Sequence, residues 1–260
     1  MKLFLGFVTA LALIPQANVW SAETLSDAEA FNMVKELDNR QRNSGDYTSL
    51  VYVKETEKNK EPHVFQAIVY RRDKDDKLII LFTKPKEESG KGYLKIDKNL
   101  WMYDPNTGKW ERRTERERIA GTNSRREDFD ESRMAEEFNI KFESNGTLGP
   151  YKTHILKLTV KEGIDVAYPM IKLAVDQKDK NIVRREEFSL SGKLMRTTYY
   201  PKWNKRYSES KKGDVWIPEE LRIFDELEKG NTTTILIKET DFKNVDNNIF
   251  SKAWIESKSK

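Results

Sequence analysis

The residues that could do chemistry in this chain are few, and their spacing is poor for catalysis. The 260 residues include two histidines, His63 and His154, and no cysteine, and neither histidine has the spacing to carboxylates that a metal site needs. Acidic pairs such as Glu186-Glu187 could act as a hydrolase pair, but a chain with 35% charged residues usually solvates them. Nucleophile elbows, phosphate loops and dinucleotide fingerprints are absent from the sequence. We therefore expect no metal and no cofactor, and we favour binding over catalysis, with an envelope hydrolase as one alternative.

Large apolar and aromatic residues concentrate between Leu78 and Trp110. Residues 78–82 form an apolar run rich in β-formers, Pro85 stops it, and Ser89-Gly90-Lys91-Gly92 turns the chain. Short strands separated by turn residues predict an antiparallel meander. So many large apolar side chains need a cover on the inner face of the sheet. We expect this cover to be partial, and we expect the inner face to hold a lipid.

The first 22 residues are typical of an export signal. Lys2 supplies a short positive region, and Leu3–Ile14 is apolar but too short to span a bilayer as an ordinary helix. We predict a signal peptide at residues 1–22, with an uncleaved anchor as the alternative, and a single domain at residues 23–260. Without cysteine, the exported chain can carry neither a disulfide nor a thiol-linked lipid, so we expect a soluble protein of the periplasm. The formal net charge of +4 is too small to make nucleic acid a default partner.

Two capping-box spacings predict helices. Ser26 with Glu29 begins a helix to about Arg40, with an apolar face that needs a surface to lie on. Ser124 with Glu127 begins a helix over residues 125–138 that turns Phe129, Met134 and Phe138 inward. Each helix either packs on the core or covers a pocket.

The rest of the chain reads as strands. Both faces of the predicted strand His63–Arg71 are partly apolar. This fits a curved sheet with a filled concave side and some outer cover. Pro201 is expected to end one strand. The predicted strands outside the central meander are Tyr47–Thr56, His63–Arg71, Lys152–Val160, Ala167–Asp176, Asn181–Leu190, Lys193–Tyr200, Val215–Phe224 and Asn231–Asp241.

Several phrases of the sequence resemble the outer-membrane lipoprotein-sorting superfamily, the LolA/LolB-like proteins. The most specific is Leu100-Trp101-Met102-Tyr103-Asp104-Pro105, preceded by Phe82-Thr83-Lys84-Pro85 and Lys91-Gly92-Tyr93-Leu94. Gly121, Ser124, Asp128 and Phe129 are similar to a later acidic and aromatic stretch in related chains. The resemblance covers residues 47–138, and the extra β material after Ile140 is similar to a long, poorly characterised branch.

The resemblance implies a mainly β fold with a few helices: an open antiparallel β half-barrel whose helices cover the concave face. It also implies a cavity for acyl chains, and a lid latch at Arg72, where Asp73 stands in place of the family's proline. Our candidates for the cavity and lid are Leu81, Leu94, Trp101, Tyr103, Met134 and Phe138, each of which could also be packed core.

The resemblance further implies a carrier of an acylated lipoprotein or lipid. Such a carrier would receive its ligand from an inner-membrane donor complex, release it to an outer-membrane acceptor, and work as a monomer. The alternative is a non-transporting envelope scaffold or an accessory protein of a lipid exporter.

Overall fold

The computed structural model describes residues 24–42, 44–114, 117–129 and 132–259. The predicted signal peptide therefore lies outside the described residues. Within them, the chain forms a long helix, a sheet and two shorter α-helices. The helices are α1 (Asp27–Arg42), α2 (Met134–Glu137) and α3 (Lys252–Lys258).

One antiparallel sheet contains thirteen strands in the described part of the chain. Its order is β6-β5-β4-β3-β2-β1-β13-β12-β11-β10-β9-β8-β7. The strands are β1 (Tyr47–Thr56), β2 (His63–Arg72), β3 (Lys77–Lys84), β4 (Gly92–Ile96), β5 (Asn99–Asp104), β6 (Lys109–Arg113), β7 (Phe138–Leu148), β8 (Tyr151–Val160), β9 (Met170–Asp176), β10 (Ile182–Phe188), β11 (Leu194–Ser208), β12 (Gly213–Asp225) and β13 (Thr232–Asp241).

The topology keeps the sheet open. Two meanders, β1–β6 and β7–β13, join where β1 pairs with β13, so β6 and β7 become opposite edges although they follow each other in sequence. The connection between them must cross the whole sheet. This crossing covers the concave face, and the predicted open antiparallel half-barrel is confirmed.

Both faces of the sheet are covered near β3, which explains its continuous apolar run. Leu78, Ile80 and Phe82 face the concave side. Ile79 and Leu81 alternate with them and pack on the convex side against the C-terminal segment. Strands buried on both faces lose the alternation of apolar and polar residues.

The C-terminal helix α3 lies on the convex face of the sheet, against β3 and β4. Ser251 caps it by accepting a 3.2 Å hydrogen bond from the Trp254 amide. Ile255 is fully buried and lies so close to β4 that a Cβ on Gly92 would come within 2.7 Å of its side chain. Position 92 therefore requires glycine because the helix approaches the strand this closely.

Helix α1 begins at the predicted capping box. The Ser26 amide donates to Glu29 Oε2 at 2.7 Å, and the Glu29 amide donates back to Ser26 Oγ at 3.3 Å. Ala30, Val34 and Leu37 then pack on strands β7–β9. The predicted N-terminal helix is confirmed, and it covers one half of the concave side.

Replacing Asp38 with alanine is expected to lower the free energy of unfolding by about 2 kcal/mol. Asp38 is buried on α1 and accepts hydrogen bonds from the Met134 and Ala135 amides at 3.2 and 2.7 Å, so it caps α2. Urea unfolding checks this, with the exposed Asp27→Ala as the matched change on the same helix. Equal effects of the two substitutions would show that Asp38 does not hold α2.

The predicted helix over residues 125–138 is wrong as one element. A short 3-10 turn (Arg126–Phe129) is followed by α2, and Phe138 already begins β7. Asp128 accepts from the Arg125 amide at 2.8 Å and also binds Arg196 on the sheet. This tertiary contact turns the segment toward the sheet and outweighs the local helical signal.

Pro201 does not end its strand as predicted. Strand β11 continues to Ser208, and the register with β12 shifts between Tyr199 and Trp203. A proline lacks the amide that a regular ladder needs, so the irregularity accommodates it inside a long strand.

Candidate ligand-binding cavity

A cavity of about 1060 Å³ lies between the concave face and its cover. This is at the upper end of the roughly 300–1,000 Å³ typical of ligand pockets. Side chains from the central strands form an apolar wall: Val51 and Val53 on β1, Val69 on β2, Leu221 on β12 and Ile235 on β13. Because most of these side chains are only partly buried, the wall presents apolar surface to the cavity.

A lid segment, which we define as residues 117–129, closes the cavity along one end of the sheet. Several of its contacts there are polar. The Ala120 amide donates to the Tyr93 hydroxyl at 3.0 Å, and the Asn123 amide donates to Thr233 Oγ1 at 2.8 Å. The Asn123 side chain donates to Glu55 at 3.2 Å. These hydrogen bonds hold the segment together with apolar packing of Ile119 and Phe129 on the cluster around Phe82.

Two ion pairs complete the attachment of the lid segment. Arg118 lies 3.0 Å from Asp225 at the end of β12. Asp128 receives two hydrogen bonds from Arg196 on β11, at 2.9 and 2.7 Å. We call the Asp128–Arg196 pair the latch, because it joins the lid to the sheet in a bidentate geometry.

The sheet side of the latch is buried. Arg196 is 4% exposed and Glu187 beside it is 0% exposed; Arg196 binds Glu187 through both Nε and Nη2. Burial alone would lower the pKa of Arg196, but Asp128 and Glu187 more than offset this and raise it well above its ordinary value. The guanidinium is therefore permanently charged and always needs anions around it.

In the empty protein, acid is expected to open the lid by protonating Asp128. Burial alone would raise the pKa of Asp128, but Arg196 outweighs it and holds the pKa below the ordinary value of 3.8. A lowered folded-state pKa means that the latch stabilises fully above the unfolded-state value and is lost as pH falls through the folded-state value.

Amide hydrogen exchange in residues 119–125 measures this opening. After correction for intrinsic rates, exchange should stay slow from about pH 7 to about pH 5 and rise below the ordinary carboxyl pKa. An Asp128→Asn variant should exchange fast throughout. A rise already between about pH 7 and pH 5 would contradict the latch.

The structure does not bring the six predicted cavity residues together. Met134 and Phe138 line the cavity. Leu81, Leu94 and Tyr103 lie on the convex face, in the cluster that α3 covers. Trp101 lies on that side too, with Lys252 Nζ 5.4 Å from its ring centroid. The four misplaced residues occupy the outward positions of β3–β5, so their neighbours Ile80 and Phe82 line the cavity instead.

The predicted latch residue Arg72 makes other contacts. Its Nε lies 2.9 Å from Asp75, and its Nη1 donates to the Val245 carbonyl at 3.1 Å. Both partners are outside the lid segment, because Arg72 points to the C-terminal segment and its neighbour Arg71 points into the cavity. The contact expected of Arg72 is made by Arg196 instead. A sequence signal for it was the alternation Arg196, Thr198, Tyr200, which puts a charge on an inward-facing row.

Metal-binding clusters and membrane-spanning helices are both missing from the described ranges. No group of three or more histidine, aspartate or glutamate side chains could hold a metal ion there. Likewise, none of the helices in that part of the chain is both long enough and apolar enough to cross a bilayer.

Comparison with solved structures shows the same fold in three proteins. A DUF1329 family protein from Desulfovibrio piger is 15% identical, with a TM-score of 0.75 over 89% of this chain and 100% of that chain. A domain described as an outer membrane lipoprotein-sorting protein, from Vibrio parahaemolyticus, is 14% identical, with a TM-score of 0.73 over 88% and 99%. A LolA superfamily protein from Nitrosomonas europaea is 17% identical, with a TM-score of 0.68 over 88% and 99%.

Sequence comparison adds a family. No curated protein matches the chain. A family model described as "Uncharacterized protein" matches residues 74–257, which is more than half of the chain. The chain therefore belongs to the family that this model describes, and its fold is that of the LolA-type, outer-membrane lipoprotein-sorting superfamily.

Proposed function

We propose that this protein is a periplasmic carrier that binds the acyl chains of lipoproteins or lipids in its cavity and shuttles them towards the outer membrane. The observation that supports this best is the cavity of about 1060 Å³, with an apolar wall under a cover that is attached in part by hydrogen bonds and ion pairs. The proposal is for binding and transfer, without catalysis.

The energetics of an acyl chain fit a carrier that depends on partners. Burying roughly ten methylenes at about 0.8 kcal/mol each gives about 8 kcal/mol, before any costs. This is enough to keep a chain out of water. A bilayer offers the same burial, so loading requires an inner-membrane donor complex and unloading requires an outer-membrane acceptor. Residues 1–22, as a signal peptide, would bring the chain to the compartment between the two membranes.

The lid segment suits a carrier because its attachments can be exchanged. Its bonds to Tyr93, Thr233 and Asp225 are hydrogen bonds and an ion pair, and water can replace such contacts when the segment lifts. Lifting also exposes the side chains of Ile119 and Phe129, which are few enough for an acyl chain in the cavity to cover in their place. The closed state therefore protects an empty cavity, and ligand entry displaces the cover.

Native mass spectrometry of protein purified from its own envelope tests the carrier proposal. We expect an adduct with the mass of an acylated molecule, which lipid extraction then identifies. Recovery of no acylated molecule under several gentle conditions would contradict it. The second candidate, a non-transporting scaffold or exporter accessory protein, would give an empty cavity and a protein partner in the same preparation.

A further inference from the structure

Arg185 on β10 presents a second guanidinium to the cavity beside Arg196. Its Nε lies 2.8 Å from Glu187 Oε1, on the carboxylate that Arg196 also uses. Within the described residues this buried Nε has no hydrogen-bond partner of good geometry. The attraction between charges therefore holds Arg185 at the cavity wall, and its Nε–H group remains available to donate a hydrogen bond.

Arg196 has both of its carboxylate partners only while the lid is closed. Arg185 and Arg196 share Glu187 on the sheet, and Asp128 is the second partner of Arg196; Asp225, opposite Arg196 on β12, pairs with Arg118 of the lid segment. The two arginines at the cavity wall and Glu187 stand on the adjacent strands β10 and β11, whereas Asp128 belongs to the lid segment. When the lid segment lifts, Arg196 keeps its positive charge at the cavity wall without the bidentate carboxylate that the lid supplied. Such a charge is costly, so the open state needs another anion in the same place.

We propose that the ligand is an anionic amphiphile whose acidic head group takes the place of the Asp128 carboxylate against Arg196 and Arg185. This deepens the proposed carrier function and rests on it. The two parallel donors that Arg196 gives to Asp128 fit a carboxylate and a phosphate equally well. The chemical class is therefore an acyl chain with a carboxylate or phosphate head, and Asp128 acts as an internal substitute for that head in the empty protein.

The apolar wall begins directly beside this charged cluster. Ile171 pairs with Glu187 on the neighbouring strand, and Ile223 pairs with Thr198; both isoleucines line the cavity. A head group at Arg196 thus places its chain on the wall of β12, β13 and β1. The aromatic ring of Tyr168 lies beside the same cluster, with its centroid 5.4 Å from the Arg196 guanidinium carbon and 5.3 Å from that of Arg125, so both cations are within cation–π distance.

Affinities for two matched probes test the proposal. Lysophosphatidylglycerol and lysophosphatidylcholine of the same chain length differ by one net charge in the head group, and calorimetry on the purified protein measures both. Asp128→Asn is expected to raise the affinity for the anionic probe about tenfold more than that for the zwitterionic probe. Tyr93→Phe, which removes the hydroxyl that accepts from the Ala120 amide of the lid segment and lies on β4, away from β10 and β11, should change both affinities by the same factor.

Arg185 supplies the reverse test. Arg185→Gln should lower the affinity for lysophosphatidylglycerol about tenfold and leave that for lysophosphatidylcholine within about twofold. Arg185→Lys keeps the charge and should retain most of the selectivity. Circular dichroism confirms the fold of each variant, and the Asp128→Asn result stands by itself if Arg185→Gln does not fold.

The outcomes separate this proposal from the carrier function. Equal responses of the two probes to Asp128→Asn would overturn the anionic head group and leave the carrier function intact. Glycerol 3-phosphate, the head group without a chain, should bind far more weakly than the anionic probe; equally tight binding would indicate a small-anion site and overturn the amphiphile. If neither the wild type nor any of the variants binds either lipid, both proposals are overturned.

Discussion

Replacing Ile235 with glutamate is expected to abolish acyl-chain binding and leave the fold intact. Ile235 lies on the central strand β13, where Val53 and Leu221 flank it in register, and all three line the cavity. It is only partly buried and lies outside the packed apolar clusters of the described residues. A carboxylate here would face the ligand chain without a partner.

The expected loss for Ile235→Glu is roughly 100-fold in affinity, or about 2.7 kcal/mol, with a change in unfolding free energy within about 1 kcal/mol. The matched control is Leu236→Glu, because Leu236 is equally half-buried and faces the other side of the same strand. The control should bind acyl ligand like the wild type. Similar losses in both variants would mean that the concave wall is not the binding surface.

Replacing Leu94 with arginine is expected to unfold the protein and not merely to block ligand. Leu94 is 2% exposed and packs on the convex face with Ile79, Phe250 and Ile255. An arginine would place an unpaired charge under α3, at a cost above about 4 kcal/mol. This is a large part of the roughly 5–15 kcal/mol that stabilises a typical domain.

Urea unfolding of the Leu94→Arg protein, or its failure to accumulate in folded form, checks this expectation. Leu190→Arg is the surface control, because Leu190 is 90% exposed at a hairpin tip and should change stability by less than about 0.5 kcal/mol. A folded Leu94→Arg protein that lost only its ligand would put Leu94 back among the cavity candidates and would contradict the packing of α3.

Local signals were sufficient to predict most of the strands, although β7 was not among those predicted and β11 continues past its predicted end. Strand β1 spans Tyr47–Thr56 as predicted, and the Ser191-Gly192 turn separates β10 from β11. Turn residues and β-branched runs act over a few positions, so their effect can be read without knowing the partner strands. The helix at Ser26 was predictable for the same reason, since its cap is made by its own first turn.

The same signals could not predict which side chains of a strand point to the concave face and which to the convex face. Leu81 and Leu94 lie one position away from Ile80 and Tyr93, and a shift by one residue moves a side chain to the other face of a sheet. The usual alternation that would settle the choice is lost here, because α3 covers the convex face and both faces of β3 are apolar. The position of α3 depends on contacts between residues far apart in sequence, such as the hydrogen bond that Trp110 Nε1 donates to Glu256 Oε1 across 146 residues.

The pairing of Asp128 with Arg196 could not be predicted from the sequence for a related reason. Asp128 and Arg196 are 68 residues apart, and each looks like one of many charges in a highly charged chain. Only the topology, which sends the β6–β7 connection across the concave face, brings the two together. A long-range ion pair of this kind has no spacing rule comparable to that of a helix.

Photo-crosslinking with a diazirine-bearing fatty acid tests the central claim most directly, since it reports where an acyl chain lies in the wild-type protein. Peptide mass spectrometry should place the adducts on β1, β12, β13 and the lid segment, at side chains such as Val53 and Ile235, and Ile235→Glu should remove them. Adducts confined to the α3 face, or no adducts at all, would contradict the cavity as the acyl-chain site.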